Sequence, residues 1–464
     1  MTPEEFRRHG REVVDWLADH MERLEDLPVQ STVAPGDVRA ALPPHPPQAG
    51  EPFADVLRDL DDIVVPGLTQ WQHPSFFAYF PANTSGPSIL GDLVSSGLGV
   101  QGMLWATSPA CTELETHVLD WLAELLDLPE RFRGHGVIQD SASSATLCAL
   151  LAARERATRG RSNREGVRER LTVYASDQAH SSVEKAVRIA GLGQDNLRLV
   201  PVDGDQAMDA EALARMVAED VAAGAVPVMV VAAVGTTGTT AVDPVPAVAD
   251  VCARHGVWLH VDAAYAGVAA VCPELRWVNA GLDRADSWCT NPHKWLLTGF
   301  DLDAFYVADP AALTSALTVL PEYLRNAASE SGAVVDYRDW QVPLGRRFRS
   351  LKLWFVLRWY GAEGLREHVR GHVALAAELA SWVDADARFE LVGAPRFGLV
   401  CLRVRDLDDA GHVALLARVN ATGACSLTHT TVAGRVVLRV AIGSPATERR
   451  HVLAAWELLR REAG

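Results

Sequence analysis

The stretch that decides the fold is "VPVMVVAAVGTTGTTAVDPVPAVADVCARHGVWLHVD", residues 226–262. It contains a short apolar run, a turn rich in glycine and threonine, a longer run with helical periodicity, and a second short apolar run. Short apolar runs on both sides of a helix are typical of buried parallel strands joined by a helical crossover. The stretch therefore predicts a strand–helix–strand unit whose second strand ends at Asp262.

The same alternation begins at about Gly136, with "GVIQ", "SSATLCALLAARERA", "LTVYAS", "SSVEKAVRIAGL" and "LRLVPV". It predicts an α/β fold with a mostly parallel sheet covered on both faces, and ligands at the carboxyl ends of the strands. An amphipathic helix and the proline-rich "LPPHPPQAGEP" predict an N-terminal helical arm over residues 1–85. The large domain follows at 86–351, and the runs "FGLVCLRVR" and "GRVVLRVAIG" predict a smaller α+β domain at 352–464.

Composition and charge exclude several classes of protein. The 464 residues are 48% hydrophobic and 22% charged, as in soluble globular proteins, and the net charge of −16 argues against a nucleic-acid partner. The seven cysteines include no C-x-x-C pair, which indicates neither a disulfide framework nor a zinc knuckle and favours the cytoplasm. No signal peptide or apolar run of membrane-spanning length is present, so we expect no membrane association.

Asp262 ends the strand "VWLHVD", where a carboxylate can face a ligand crevice. His260 lies two residues earlier and therefore on the same face of the strand, a spacing that could also serve a metal. No further histidine or carboxylate follows at short spacing, so we predict no metal site. An isolated strand-end aspartate can equally be a structural charge held by neighbouring amides.

Lys294 of "NPHKWLL" changes that balance, because only three of the 43 basic residues are lysines. Arginine carries the same charge but cannot lose its proton in a protein, whereas a lysine with a lowered pKa can attack an aldehyde. A chain that prefers arginine and keeps a lysine here indicates a chemical requirement. The alternative is a surface lysine without a role, which is our interpretation of Lys185.

An aldehyde cofactor that combines a lysine with an acidic partner is pyridoxal 5'-phosphate (PLP). Its phosphate needs backbone N–H donors, and "GVIQDSASSATLCALL" supplies a strand, a small-residue turn and a helix start around residues 142–144. His180 of "SDQAHSSVEKA" follows another strand end, where an imidazole could lie over the cofactor ring. For a lone histidine a structural role is the commoner case.

Five motifs in the same order resemble the PLP-dependent aromatic L-amino-acid decarboxylases, the group that also contains histidine decarboxylase. They are "FFAYFPANTS", "SPACTELETHVLDWLAELLDLP", "SDQAHSSVEKA", "HVDAAYAG" and "NPHKWLL", and the similarity continues to "VPLGRRFRSLKLWF". The resemblance implies the fold-type I architecture of aspartate aminotransferase. It also implies a homodimer with active sites at the subunit interface, in which the N-terminal arm wraps the partner.

The resemblance also implies roles for individual residues. Lys294 would bind the cofactor covalently, Asp262 would pair with its pyridine nitrogen, and His180 would stack on its ring. The other positions expected to bind the cofactor are Ala142, Ser143 and His293 at the phosphate, with Thr237 and Ala264 beside the ring. The positions expected to border the substrate are Trp71, Tyr79, Phe80, Ala82, Gln101, Met103 and Trp105.

Tyr323 in "TVLPEYLRNAASESG" matches the loop tyrosine that, in this group, protonates the substrate carbon after CO2 leaves. Related aldehyde synthases tend to carry phenylalanine there or to replace the stacking histidine, so Tyr323 and His180 favour simple decarboxylation.

Asp140 and Ser144 depart from the usual phosphate turn, and Ala82, Gln101 and Met103 depart from the dopa enzymes of animals. Tryptophan, tyrosine, phenylalanine, dopa and histidine therefore all stay open as substrates. A catalytically silent PLP-binding scaffold is a further alternative, which the retained Lys294 and Asp262 argue against.

Overall fold

The computed structural model describes residues 1–319 and 334–464 of the chain. Its α-helices in these ranges are α1 Pro3–Arg23, α2 Asp37–Ala41, α3 Phe53–Asp59, α4 Gly86–Leu98, α5 Pro109–Leu125, α6 Ala142–Ala157, α7 Ser162–Glu165, α8 Ser182–Ile189, α9 Ala210–Ala222, α10 Val245–His255, α11 Pro292–Trp295, α12 Pro310–Leu317, α13 Ser350–Ala385, α14 Asp409–Ala421 and α15 Arg449–Glu462. Its strands are β1 Gly136–Gln139, β2 Leu171–Ser176, β3 Leu197–Val200, β4 Val226–Ala233, β5 Trp258–Asp262, β6 Ser287–Thr290, β7 Asp303–Val307, β8 Phe389–Leu391, β9 Leu399–Val404, β10 Thr428–Val432 and β11 Arg435–Ala441.

The larger sheet has the strand order β1-β7-β6-β5-β4-β2-β3. Strands β2 to β6 pair in parallel, and β7 runs antiparallel to both of its neighbours. The carboxyl ends of β1, β4, β5 and β6 therefore meet the beginning of β7 at one edge. The α/β fold with a mostly parallel sheet is confirmed.

Both faces of this sheet are covered by helices, which is why β4 is entirely apolar and β5 is apolar except for His260 and Asp262. Helices α6 and α8 pack against one face, with Val137, Trp258 and Phe305 in the shared core. Helices α5, α9 and α10 cover the other face. Among the described residues, no helix combines the length and apolarity needed to cross a bilayer.

The smaller sheet is antiparallel, in the order β10-β11-β9-β8. It packs with α14, α15 and the second half of α13, a helix that is interrupted at Gly361, where φ is +61°. The N-terminal segment joins the two sheets, because Phe77 lies in the core of the small sheet while Phe80 lies in the core of the large one. The domain boundaries at residues 85 and 351 stay predictions.

Helix α4 crosses α13 at very short range. A Cβ atom on Gly91 would meet the Cα atom of Lys352 at 2.6 Å, so only glycine allows the two backbones to approach this closely. The Lys352 side chain is buried at this crossing, and its Nζ lies 3.0 Å from Oδ2 of Asp92. This contact anchors the segment that follows the arm to the body of the protein.

Candidate active site

A cavity of about 200 Å³ lies at the carboxyl edge of the large sheet. It is bounded by the ends of β4 and β5, by the beginning of α6, and by α11. Its lining residues are Phe80, Ser141, Ala142, Ser143, His180, Ala233, Gly235, Thr236, Thr237, Asp262, Ala264, Tyr265, Asn291, His293 and Lys294. Every cofactor position expected from the sequence therefore borders one cavity.

Lys294 enters the cavity from α11, a single turn that directly follows β6. Its backbone N–H donates to the carbonyl of Asn291 at 2.9 Å, which closes the turn. Burial lowers the pKa of Lys294, and the nearby Asp262 carboxylate acts in the opposite direction. A lysine held in this way has an increased fraction of neutral amine, the form that attacks an aldehyde.

Asp262 is the last residue of β5, and its side chain faces the cavity. The backbone N–H of Ala264 donates to Oδ1 of Asp262 at 3.1 Å and fixes the carboxylate at the strand end. Asp262 also contributes to the pKa values of Lys294 and His180, raising both. The Asp262 carboxylate therefore favours the protonated forms of both Lys294 and His180.

The opposite end of the cavity supplies hydrogen-bond donors for an anion. Ser141 caps the N-terminus of α6, and Ala142 and Ser143 form the first turn of that helix. His293 accepts a hydrogen bond at Nδ1 from the backbone N–H of Leu302 at 2.9 Å. Burial lowers the pKa of His293 to about 3, so the ring is neutral and carries its proton on Nε2. A helix N-terminus and a neutral imidazole donor fit a phosphate.

His180 and Thr237 border both this cavity and a larger open cleft of about 1210 Å³. The backbone N–H of Ser182 donates to Nδ1 of His180 at 3.2 Å, which leaves the proton of the neutral ring on Nε2. Partial burial lowers the pKa of His180, while Asp262 acts to raise it. The imidazole therefore lies at the entrance from the cleft to the cavity.

Phe80 closes a further side of the cavity and is held rigidly. Its ring stacks on that of Tyr265, with centroids 3.7 Å apart and an interplanar angle of 7°. The guanidinium carbon of Arg439 lies 5.4 Å from the Phe80 ring centroid. Tyr79 is on the open side, lines the cleft, and stacks on Trp71 at 5.5 Å. An aromatic substrate side chain would find flat apolar partners here.

The other predicted substrate positions do not line the cavity within one chain. Oε1 of Gln101 accepts a hydrogen bond from the backbone N–H of Arg346 at 2.6 Å. The Trp105 indole N–H donates to Oε1 of Glu113 at 2.8 Å. Trp71, Ala82, Gln101, Met103 and Trp105 are all absent from the cavity lining. Tyr323 lies outside the described residues, so its role and those of these five residues stay predictions.

His260 is not available to a metal or to the cavity. It is enclosed beneath Asp262, with Nδ1 2.9 Å from Oγ of Ser287 and Nε2 3.5 Å from Oγ1 of Thr146. Burial lowers the pKa of His260 to about 4. Within the described ranges, no cluster of three or more histidine, cysteine or acidic side chains could hold a metal ion.

Sequence reasoning missed several residues of the cavity. Asn291 could have been predicted from the sequence, because it is the first residue of "NPHKWLL" and directly follows β6. Thr236 lies in the turn after β4 and Tyr265 is the tyrosine of "HVDAAYAG", so both were within recognisable motifs. Asp303, which lies next to the cavity at the beginning of β7, gave no sequence signal.

Comparison with known proteins defines the class. Residues 35–405 match the family described as the pyridoxal-dependent decarboxylase conserved domain. The chain belongs to this family of PLP-dependent carboxy-lyases, and the cavity donors, Lys294 and Asp262 fit that cofactor.

Individual relatives match over essentially their whole length. The chain is 46% identical to phenylacetaldehyde synthase of Arabidopsis thaliana, covering 100% of this chain and 96% of the relative. It is 45% identical to aromatic-L-amino-acid decarboxylase of Rattus norvegicus, covering 99% and 98%. Its structure is similar to that of Oryza sativa TDC with PLP and tryptamine, with a TM-score of 0.97 and 44% identity, covering 100% of this chain and 98% of that one.

Proposed function

We propose that this enzyme decarboxylates an aromatic L-amino acid, releasing the corresponding amine and CO2. The observation that carries the proposal is the placement of Lys294 and Asp262 in one cavity that the stacked aromatic ring of Phe80 closes on one side. Relatives whose names specify aromatic amino acids support the same substrate class.

Bound PLP supplies an aldehyde for the lysine and a protonated ring that withdraws electrons from the substrate Cα. The chain supplies the rest. Asp262 would supply the negative charge that favours a protonated ring nitrogen, and Lys294, whose pKa is lowered by burial, would supply the amine that holds the cofactor aldehyde and gives way to the amine of the substrate. His180, neutral and fixed by Ser182, can lie against the ring. Tyr323 is proposed to return the proton to Cα.

A product screen tests this proposal. The purified enzyme with PLP is incubated separately with L-tryptophan, L-tyrosine, L-phenylalanine, L-dopa and L-histidine, and products are identified by mass. We expect the amine and an equal amount of CO2 from at least one aromatic substrate, and Asp262→Asn should lose this turnover. Absence of amine from every substrate tried would contradict the proposal.

A second candidate is oxidative conversion to an aromatic aldehyde, which the 46% identity to a phenylacetaldehyde synthase favours. This reaction consumes O2 and water and releases the aldehyde, CO2, ammonia and hydrogen peroxide. Oxygen uptake and peroxide release in the same screen distinguish the two reactions. If Tyr323 acts as proposed, Tyr323→Phe should increase the ratio of aldehyde to amine.

We also propose that the enzyme is a homodimer. An apolar face, defined here as Phe6, Val14, Leu90, Leu93 and Trp359, is exposed to solvent, and Leu93 is 51% and Trp359 75% exposed. It continues from α1 across α4 to α13, because Leu90 lines the grooves on both sides. Soluble monomers rarely expose an apolar face of this extent.

A second copy on the apolar face would also explain why Met103 and Trp105 do not reach the cavity of their own chain, since they could serve that of the partner. Light scattering should give twice the chain mass for the wild type. Leu93→Glu should give monomer with little activity, whereas the control Val413→Glu, which changes an exposed side chain elsewhere, should stay dimeric. A monomeric, active wild-type enzyme would refute the proposal.

We further propose a cytoplasmic location, since all seven cysteines are buried thiols.

A further inference from the structure

Asp303 begins β7, the strand that runs antiparallel through the parallel part of the sheet. Its register partner on β1 is Gln139. On the other side, Thr290 of β6 pairs with Ala304. The backbone of Asn291 is still extended, so continuing this register by one position puts Asn291 opposite Asp303. Side chains at paired positions lie on the same face, with Cβ atoms about 5 Å apart. Gln139, Asp303 and Asn291 therefore form a polar row at the functional edge.

Asp303 is fully buried, and neither of its carboxyl oxygens has a hydrogen-bond partner among the described residues. Its neighbour Gln139 donates its side-chain amide to the carbonyl of Trp340 at 2.8 Å. The Gln139 amide has a second N–H, but it makes no hydrogen bond to Asp303, so the remaining neighbour in the row is Asn291. Oδ1 of Asn291 is also buried and, within the described part of the chain, has no partner. Two unsatisfied acceptors thus occupy facing positions.

Such a pair is stable only if one member becomes a donor: either Asp303 is protonated, or the Asn291 amide turns its N–H toward an ionised Asp303 and away from the cavity. An ionised carboxylate and an amide oxygen cannot hydrogen-bond to each other, and an ionised carboxylate without a partner is costly to bury. Burial, followed by the charges of Asp262 and Asp140, raises the pKa of Asp303 well above its usual range, while Lys294 opposes the shift. The other titratable neighbours, Cys289 on β6 and Cys148 on α6, are thiols whose pKa values are also raised by burial.

We propose that Asp303 is a positioning residue for the cofactor phosphate: as a neutral carboxylic acid it donates its proton to Oδ1 of Asn291. This bond turns Nδ2 of Asn291 toward the cavity, where Asn291 lies with Ser141, Ser143 and His293. The amide N–H is then a donor for the phosphate of PLP. Protonation also removes a negative charge that would repel the phosphate. The inference depends on the cofactor and not on the substrate proposed above.

Cofactor analogues separate this role from a general structural one. Full-length protein stripped of PLP is titrated with 4-deoxypyridoxine 5'-phosphate, which has no aldehyde and cannot bond to Lys294, and with the phosphate-free form. Asp303→Leu removes the donor and should weaken binding of the phosphorylated probe about tenfold or more. It should leave the phosphate-free probe unaffected. Asp303→Asn should stay close to the wild type, because its amide can also donate to Asn291.

The exposed Glu219 on α9, a helix that does not border the cavity, provides a control, since Glu219→Gln removes a negative charge without touching the polar row. This variant should not weaken the phosphorylated probe. Equal binding of that probe by Asp303→Leu and the wild type would overturn the proposal, and so would an equal loss of both probes.

An infrared difference spectrum tests the protonation directly and does not require Asp303→Leu to fold. At pH 8 the wild type minus Asp303→Asn should show the carbonyl band of a protonated carboxyl group, and deuteration should shift it. Asp243 and Asp339 are the other described aspartates whose pKa is raised by burial, that of Asp243 to about 6; both are present in the wild type and in the variant, so the difference spectrum removes their contribution. Absence of the band would overturn the proposal.

Discussion

Burial lowers the pKa of two lysines in this protein, Lys294 and Lys352, but only Lys352 has a carboxylate in direct contact. Lys352, 1% exposed, lies between α4 and α13 with its ammonium 3.0 Å from the Asp92 carboxylate. Lys294 lies at the cavity, and in the described ranges no carboxylate forms an ion pair with it. Burial lowers the pKa of both. We infer from this difference that a direct counter-charge favours a structural role for Lys352, while the absence of one beside a cavity favours the reactive role proposed for Lys294.

We expect the largest effect from Lys294→Arg, which tests whether Lys294 is the reactive lysine of this pair. The variant keeps the positive charge but cannot bond to an aldehyde, so turnover should fall at least about a thousandfold. The absorbance of covalently bound cofactor should disappear, and borohydride should no longer fix PLP to the chain. Retained turnover with retained absorbance would show that another amine carries the chemistry.

Lys352→Met tests the structural lysine. Methionine fills a similar volume but leaves the Asp92 carboxylate without its partner, so the free energy of unfolding should fall by about 2 kcal/mol. This estimate is below the cost for a fully buried pair because the Asp92 side chain is 30% exposed. Urea unfolding measures the loss, and the absorbance of bound cofactor should be unchanged. A loss of absorbance without a loss of stability would mean that the two lysines are not separated as we describe.

The region behind Lys294 should respond to acid. Burial lowers the pKa of His372 from 6.5 to about 4, and His372 accepts a hydrogen bond at Nδ1 from the Trp295 indole N–H. Below pH 6.5 the unfolded chain gains a proton at this position and the folded chain does not. Stability due to this group is therefore fully present above pH 6.5 and is lost as the pH falls toward 4.

His372→Gln removes this titration, because glutamine can accept from Trp295 and donate to the Ser444 carbonyl without charging. The pH dependence of the unfolding free energy should become shallower by up to about 1.4 kcal/mol per pH unit below pH 6. Urea unfolding at pH 7.0, 6.0 and 5.0 measures both slopes. Parallel slopes for the variant and the wild type would show that His372 already titrates normally in the fold.

Sequence periodicity was sufficient for the fold and for the residues at strand ends. Asp262 and His180 each follow an apolar run, and parallel strands bring their carboxyl ends to one edge. Lys294 was recognisable because arginine replaces lysine almost everywhere else in the chain. These predictions rest on local features, so they did not require the strand order.

Asp303 could not be predicted, because its importance depends on β7 lying between β1 and β6, and strand order is set by long-range packing. The same holds for Lys352, whose partner Asp92 is distant in sequence and meets it only where α4 crosses α13. Met103 and Trp105 were predicted from motif matches, and the structure of one chain does not bring them to the cavity. Asp303 and Lys352 therefore require the tertiary fold, and the two substrate positions would require the homodimer proposed above.

The smallest effect is expected at Lys185, the one lysine exposed on a helix surface. Its positive charge contributes to lowering the pKa of His180, and arginine retains that charge. Lys185→Arg should therefore change stability by less than about 0.5 kcal/mol and leave turnover and its pH profile unchanged. Lys185→Glu is the matched control, which should raise the pKa of His180 and move the profile to higher pH. If Lys185→Arg reduced turnover as Lys294→Arg does, lysine chemistry would not be confined to the cavity, and the contrast between the lysines would fail.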